Sequence, residues 1–197
     1  MQRPDEAKRA AIMDAAAELF ATRPFHEVRL DDIAEAARVG KGTLYIYFKS
    51  KDDLYGSLIL EGFNRLVERL KTRCDSAGAQ ESAWETLSLI VRELVIWAKR
   101  SPYFFQLIRP GQQTPFPELY EKKRRELVKL IEATIVRGVR AGELNDPRPD
   151  LTAQFIPACV RGTLRFITGD VGAETLTNHI LRVIGTGILS SRRTPSA

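Results

Sequence analysis

Arg38, Lys41, Lys49 and Lys51 fall within fourteen residues that hold no acid. Thr43, Tyr45 and Tyr47 add three hydroxyls between them, and Gly40 and Gly42 add two positions without a side chain. Cations and hydroxyls at this density suit a polyanion, because each can neutralise or hydrogen-bond a phosphate oxygen. On a helical wheel of about 100° per residue, Leu44 and Phe48 fall together and must face a core. Gly42, Thr43 and Ile46 fall on the opposite face, with Tyr45 and Tyr47 on the flanks. A major-groove reader needs such an outer face: Gly42 lets the backbone approach closely, Thr43 offers a hydroxyl and a methyl, and Ile46 would meet a thymine methyl. Each signal also has a plain reading. A single exposed isoleucine is common on any protein, and a single lysine is most often a solvated helix end.

The elements that must position this stretch can be read from periodicity. Residues 6–22 place Ile12, Ala16, Leu19 and Phe20 on one stripe, ending before Pro24. Leu30, Ile33, Ala34 and Ala37 make a second short helix, Val39-Gly40 a turn, and 41–48 a third helix. Two short helices joined by a tight turn form a helix-turn-helix. Gly40 is read either as the residue with unusual turn dihedrals or as an N-cap. Ser50 caps a long fourth helix that places Asp52 and Asp53 in its first turn. Further helices are expected over 82–100, around Tyr103–Phe105, over 117–141, 150–168 and 174–190, with Pro157 kinking the penultimate one and a disordered tail after 191. No stretch alternates with the period of a strand. The expectation is an all-α fold of about nine helices: a three-helix helix-turn-helix head over 1–50, a larger helical body over 51–191, and a tail over 192–197.

Bulk properties set the limits. The chain has 197 residues, 44% of them hydrophobic and 28% charged, as in an ordinary globular protein. Two cysteines, Cys74 and Cys159, are too few for a disulfide framework. No secretory signal pattern stands at the N-terminus, and no stretch nears the roughly 18 apolar residues of a membrane span. The expected location is the cytoplasm. The formal net charge is +5, yet residues 1–55 sum to −1 and residues 56–197 to +6. The case for DNA therefore rests on the local arrangement between Arg38 and Lys51.

The run Ala37-Arg-Val-Gly-Lys-Gly-Thr-Leu-Tyr-Ile-Tyr-Phe-Lys-Ser-Lys-Asp-Asp-Leu54 resembles the helix-turn-helix signature of the tetracycline-repressor (TetR) family. The similarity extends through Ala10–Phe20 and Val28–Ala37. It implies a homodimeric DNA-binding regulator on a palindromic operator, usually a repressor released by a small ligand. By motif match, Lys41, Gly42, Thr43, Tyr45, Ile46 and Tyr47 fall on the recognition helix, and Lys51 on a phosphate-contacting lysine. The chain departs from the pattern at four positions. Arg38 replaces a turn glycine, Gly40 a serine cap, Arg29 a Ser/Thr cap, and Asp31 stands where a base is frequent. No DNA contact carries over to Asp31; Arg29 and Arg38 are taken to restore the charge.

The resemblance also assigns the body. The last two helices would pair with their mates in a four-helix dimer interface through Phe155, Cys159, Gly162 and Phe166, then Ile180, Ile184, Gly187 and Ile188. Part of each face must instead be ordinary core. An effector pocket among the middle helices would draw on Phe63, Trp84, Trp97, Phe104, Phe105, Phe116 and Tyr120, which favours a largely apolar ligand; aromatic residues at helical spacing are equally the make-up of plain core. No cofactor and no metal site is expected.

Two other classes were weighed. An enzyme is disfavoured because the two histidines, His26 and His179, lie far apart and no metal, nucleophile or phosphate-loop motif is present. The departures at Arg29, Asp31, Arg38 and Gly40 leave open a helical interaction module whose head no longer binds DNA.

Overall fold

The computed structural model describes residues 5–76, 81–101 and 117–189. The expected short helix at 103–105, with Phe104, Phe105 and Phe116, lies outside these, as does the tail. The described residues form eight α-helices and one 3-10 turn: α1 Glu6–Thr22, the 3-10 turn Phe25–Glu27, α2 Leu30–Ala36, α3 Lys41–Tyr47, α4 Lys51–Ser76, α5 Ala83–Lys99, α6 Pro117–Arg140, α7 Pro149–Phe166 and α8 Ala173–Ile188. Among the described residues the one strand-like contact is an isolated bridge between Leu144 and Leu189. The described residues divide into two compact units, 5–62 with 100–101 and 117–120, and 63–76 with 81–99 and 121–189. Helix α4 runs from the first into the second.

In the first unit, α1 begins where the Asp5 carboxylate accepts the Ala7 N–H at 2.9 Å, satisfying one of the orphan amides of a helix start. Ile12, Met13 and Ala16 from α1 meet Ile33 and Ala34 from α2, Leu44 from α3 and Leu54 from α4, all at most 4% exposed. At seven residues each, α2 and α3 are too short to hold their shape by propensity, so this shared apolar cluster is what keeps them folded. Phe20, Phe25 and Tyr55 form an aromatic trio with ring centroids 4.9–5.6 Å apart. Ser50 caps α4 as expected: its hydroxyl accepts the Asp53 N–H at 3.0 Å, while the Asp53 carboxylate reaches back to the Lys49 N–H at 2.8 Å.

In the second unit, α5 packs against α7 and α8. Its core joins Leu87, Ile90, Val91, Leu94, Val95, Ile156, Val160, Leu176 and Ile180. Two glycines allow close approach. A Cβ on Gly185 would stand 3.0 Å from Trp84 Cη2, and one on Gly138 would stand 2.6 Å from Leu144 Cδ1. Glu143 acts as a remote cap for α5, accepting from the Ser82 hydroxyl, the Ala83 N–H at 2.8 Å and the Trp84 N–H at 2.9 Å. Helix α7 continues as one element through Pro157.

Candidate nucleic-acid interface

The turn between α2 and α3 is a Schellman motif. The Arg38 N–H donates to Glu35 O at 3.0 Å and the Val39 N–H to Ala34 O at 2.9 Å. Such a motif needs one left-handed residue, and here it is Arg38, with φ of +53°. From sequence, Gly40 could carry either the unusual turn dihedrals or the N-cap. Gly40 is an extended N-cap of α3, with φ −67° and ψ 146°, its carbonyl accepting the Leu44 N–H at 3.1 Å. Of its two possible roles, the cap is the one realised.

Leu44 and Phe48 are buried at 0% and 2% exposure and fix the rotation of α3. That turns Gly42 and Ile46 outward, with Thr43 half-buried beside them. Ile46 is 72% exposed and Tyr45 47%. A Cβ on Gly42 would meet nothing within 4 Å, so no neighbour in the chain requires glycine there.

Two expected contacts have structural duties as well. The Tyr47 hydroxyl accepts the Asp5 N–H at 2.9 Å, tying α3 to the start of α1; the hydroxyl proton stays available to donate. Lys51 Nζ donates to Phe25 O at 2.8 Å and Val28 O at 2.9 Å and lies 4.3 Å from the Phe25 ring centroid. Lys51 thus closes the 3-10 turn onto α4. Neither link was visible in the sequence, where the partners stand 42, 26 and 23 residues away.

The cations are distributed unevenly. Lys41 Nζ sits 2.8 Å from a carboxylate oxygen of Asp31, which raises its pKa. Arg38 and Lys49 are exposed and form no ion pair within the described residues. Arg29 is exposed, and its N–H donates to the Asp32 carboxylate at 3.2 Å. That bond, together with the Arg23 guanidinium 2.9 Å away, holds the Asp32 carboxyl below its usual range. Asp32 was missed from sequence, although its spacing three residues after Arg29 is that of a capping-box acid.

Of the residues assigned to a dimer interface, Phe155 and Phe166 are 53% and 76% exposed, Gly187 is exposed, and Cys159 and Gly162 are half-buried. Ile180, Ile184 and Ile188 need correction: they are at most 6% exposed and belong to the chain's own core. Leu151 and Val183 are 54% and 47% exposed. Of the residues assigned to a pocket, Phe63 is buried and stacks on Trp97 with centroids 4.7 Å apart. Trp84 packs over Gly185, and Tyr120 is half-buried. Among the described residues no helix is long and apolar enough to cross a membrane.

Residues 12–58 match the family model described as bacterial regulatory proteins, tetR family. The chain is 25% identical over 184 residues to the fatty acid metabolism regulator protein of Bacillus subtilis, covering 90% of this chain and 93% of that one. It is 21% identical over 197 residues to the transcriptional regulator UidR of Escherichia coli, covering 97% of each. Among solved structures, a TetR/AcrR-family regulator from Thermobifida fusca superposes with a TM-score of 0.74 at 25% identity, over 91% of this chain and 97% of that one. FadR from Bacillus subtilis, solved with stearoyl-CoA, superposes with a TM-score of 0.69 at 22% identity, over 90% and 98%.

Proposed function

The chain belongs to the TetR family of bacterial regulatory proteins, and from that footing we propose that it is a ligand-responsive, homodimeric transcriptional regulator. In this reading it represses, binds a palindromic operator in the cytoplasm, and is released by a small, largely apolar effector. It is not an enzyme. The observation that carries DNA binding is the outward face of α3. Ile46 is 72% exposed beside Gly42, where an added Cβ would meet nothing. A helix gains stability from alanine in place of glycine, so a glycine with free space around it is best explained by a surface that approaches from outside. Lys41, Thr43, Tyr45 and Tyr47 join this face, and Arg29, Arg38, Lys49 and Lys51 supply positive charge around it.

Binding DNA as a symmetric pair follows from size, since one seven-residue helix reads only a few base pairs and two-fold operators need two heads. The pairing surface proposed is the exposed apolar face carrying Leu151, Phe155, Phe166 and Val183, with Gly162 and Gly187 open for close helix approach. An effector that binds better to a dimer with a different head spacing would shift the population away from the DNA-fitting form. Fatty-acyl compounds are the first class to test, because a relative spanning nearly the whole chain is a fatty acid metabolism regulator.

The test is fluorescence anisotropy on duplex DNA from upstream of the chain's own gene. Specific, salt-sensitive binding is expected. Gly42→Ala should fold at least as stably as the parent and bind at least tenfold more weakly, a separation of roughly 1.4 kcal/mol. Unchanged affinity in Gly42→Ala would remove α3 as the reading helix. No specific binding at all would favour the non-DNA-binding interaction module. Acyl ligands that leave operator affinity unaltered would exclude that effector class.

A further inference from the structure

Asp31 and Lys41 form an ion pair across the helix-turn-helix. Asp31 is the second residue of α2 and Lys41 the first of α3. The two carboxylate oxygens stand 2.8 Å and 3.0 Å from Lys41 Nζ, and both side chains are about 60% exposed. Lys41 precedes Gly42 on the very helix proposed to meet DNA. An acid at that edge does two things to an approaching polyanion. It repels the phosphates directly, and it has already matched the charge of the lysine they would use. Moving Lys41 to a phosphate exchanges one anionic partner for another and leaves a carboxylate uncompensated beside the backbone.

We infer that Asp31 is an affinity-limiting residue, which holds Lys41 as an internal counter-ion and lowers sequence-independent attraction to DNA. The inference rests on the DNA-binding reading above. Phosphate attraction is the same on every sequence, whereas contacts from Gly42, Thr43 and Ile46 are not. Taking one cation out of the first term lowers affinity for every duplex alike and leaves the discrimination between sequences to the base contacts. Asp31 thus sets overall affinity without touching a base.

The experiment measures anisotropy of labelled duplexes, one from upstream of the gene and one of arbitrary sequence, over a salt series. Asp31→Asn should tighten binding to both duplexes. The gain should be about threefold larger at 50 mM than at 200 mM salt, and the slope of log affinity against log salt should steepen by about 1. Asp31→Ser, which also suits a helix start, should behave alike, and circular dichroism should show the parent fold for both. In a Lys41→Gln background the Asp31→Asn gain should shrink to the direct-repulsion part, with a smaller change of slope. Equal affinities for parent and Asp31→Asn on both duplexes would overturn the inference. So would loss of upstream binding alone in Asp31→Asn, which would instead make Asp31 an acceptor for a base amino group such as cytosine N4. If neither parent nor variants bind either duplex, the DNA-binding reading fails and takes this inference with it.

Discussion

Arg38 holds its backbone at φ +53°, where a Cβ crowds the following carbonyl and costs roughly 1 kcal/mol. The family pattern has glycine at this place, so retention of arginine implies a use for its exposed guanidinium. Arg38→Gly should raise the stability of the head by up to about 1 kcal/mol and weaken DNA binding by removing a cation. A guanidinium-chloride titration beside an anisotropy measurement checks both; a variant less stable than the parent would mean that the side chain anchors the turn. Lys51 presents the converse case. Its ammonium satisfies Phe25 O and Val28 O, and charged hydrogen bonds of this kind are each worth about 1.5–3 kcal/mol at most. Lys51→Met should therefore lower the thermal midpoint of the head as well as DNA affinity, so affinity loss there cannot be assigned to phosphate contact unless the fold is shown to be intact. Sequence reasoning saw the inward anchors Leu44 and Phe48 because helical phase depends only on local spacing. It did not see the left-handed Arg38 or the Lys51 carbonyl bonds, because both depend on where the chain returns after the turn.

At the scale of elements, α4 and α6 are joined in the second unit by alternating charges. Glu126 accepts from Lys71 at 2.5 Å and Lys123 at 2.9 Å, and Lys123 also reaches Glu68 at 2.7 Å. The hydrogen bonds from Lys71 and Lys123 lower the Glu126 carboxyl from 4.5 to about 2. A carboxyl whose folded value is depressed stabilises the fold above its unfolded value, and that contribution fades as pH falls through the folded one. Urea midpoints should accordingly drop between about pH 4.5 and pH 2. Glu126→Gln should flatten that drop while lowering the midpoint at neutral pH; an unchanged profile would assign the acid sensitivity to Glu68 or Glu81, whose carboxyls are also lowered by paired cations. The helices themselves were legible from apolar periodicity, and Ser50 as a cap from its spacing to Asp53. What buries an apolar stripe was not. Ile180, Ile184 and Ile188 read as a sticky face, but the hydrophobic effect has no direction, so the stripe alone could not distinguish α5 of the same chain from a mate.

For the whole molecule, the surface left over after that correction makes the dimer testable. Leu151, Phe155, Phe166 and Val183, on the last two helices, are each at least 47% exposed; in the proposed dimer they would be covered by the mate. Phe155→Glu with Phe166→Glu should yield a monomer by sedimentation velocity. Because these side chains make little contact within the chain, the body should keep its helicity, and operator binding should fall steeply as the second head is lost. A double variant that remains dimeric would move the interface elsewhere.

The two tryptophans are the chain's whole complement of indoles. Trp97 lies against Phe63 and Trp84 over Gly185, both in the second unit. Emission excited selectively from tryptophan consequently reports on the second unit, while the first unit carries tyrosines such as Tyr45, Tyr47 and Tyr55. An effector settling near either ring would announce itself without a label.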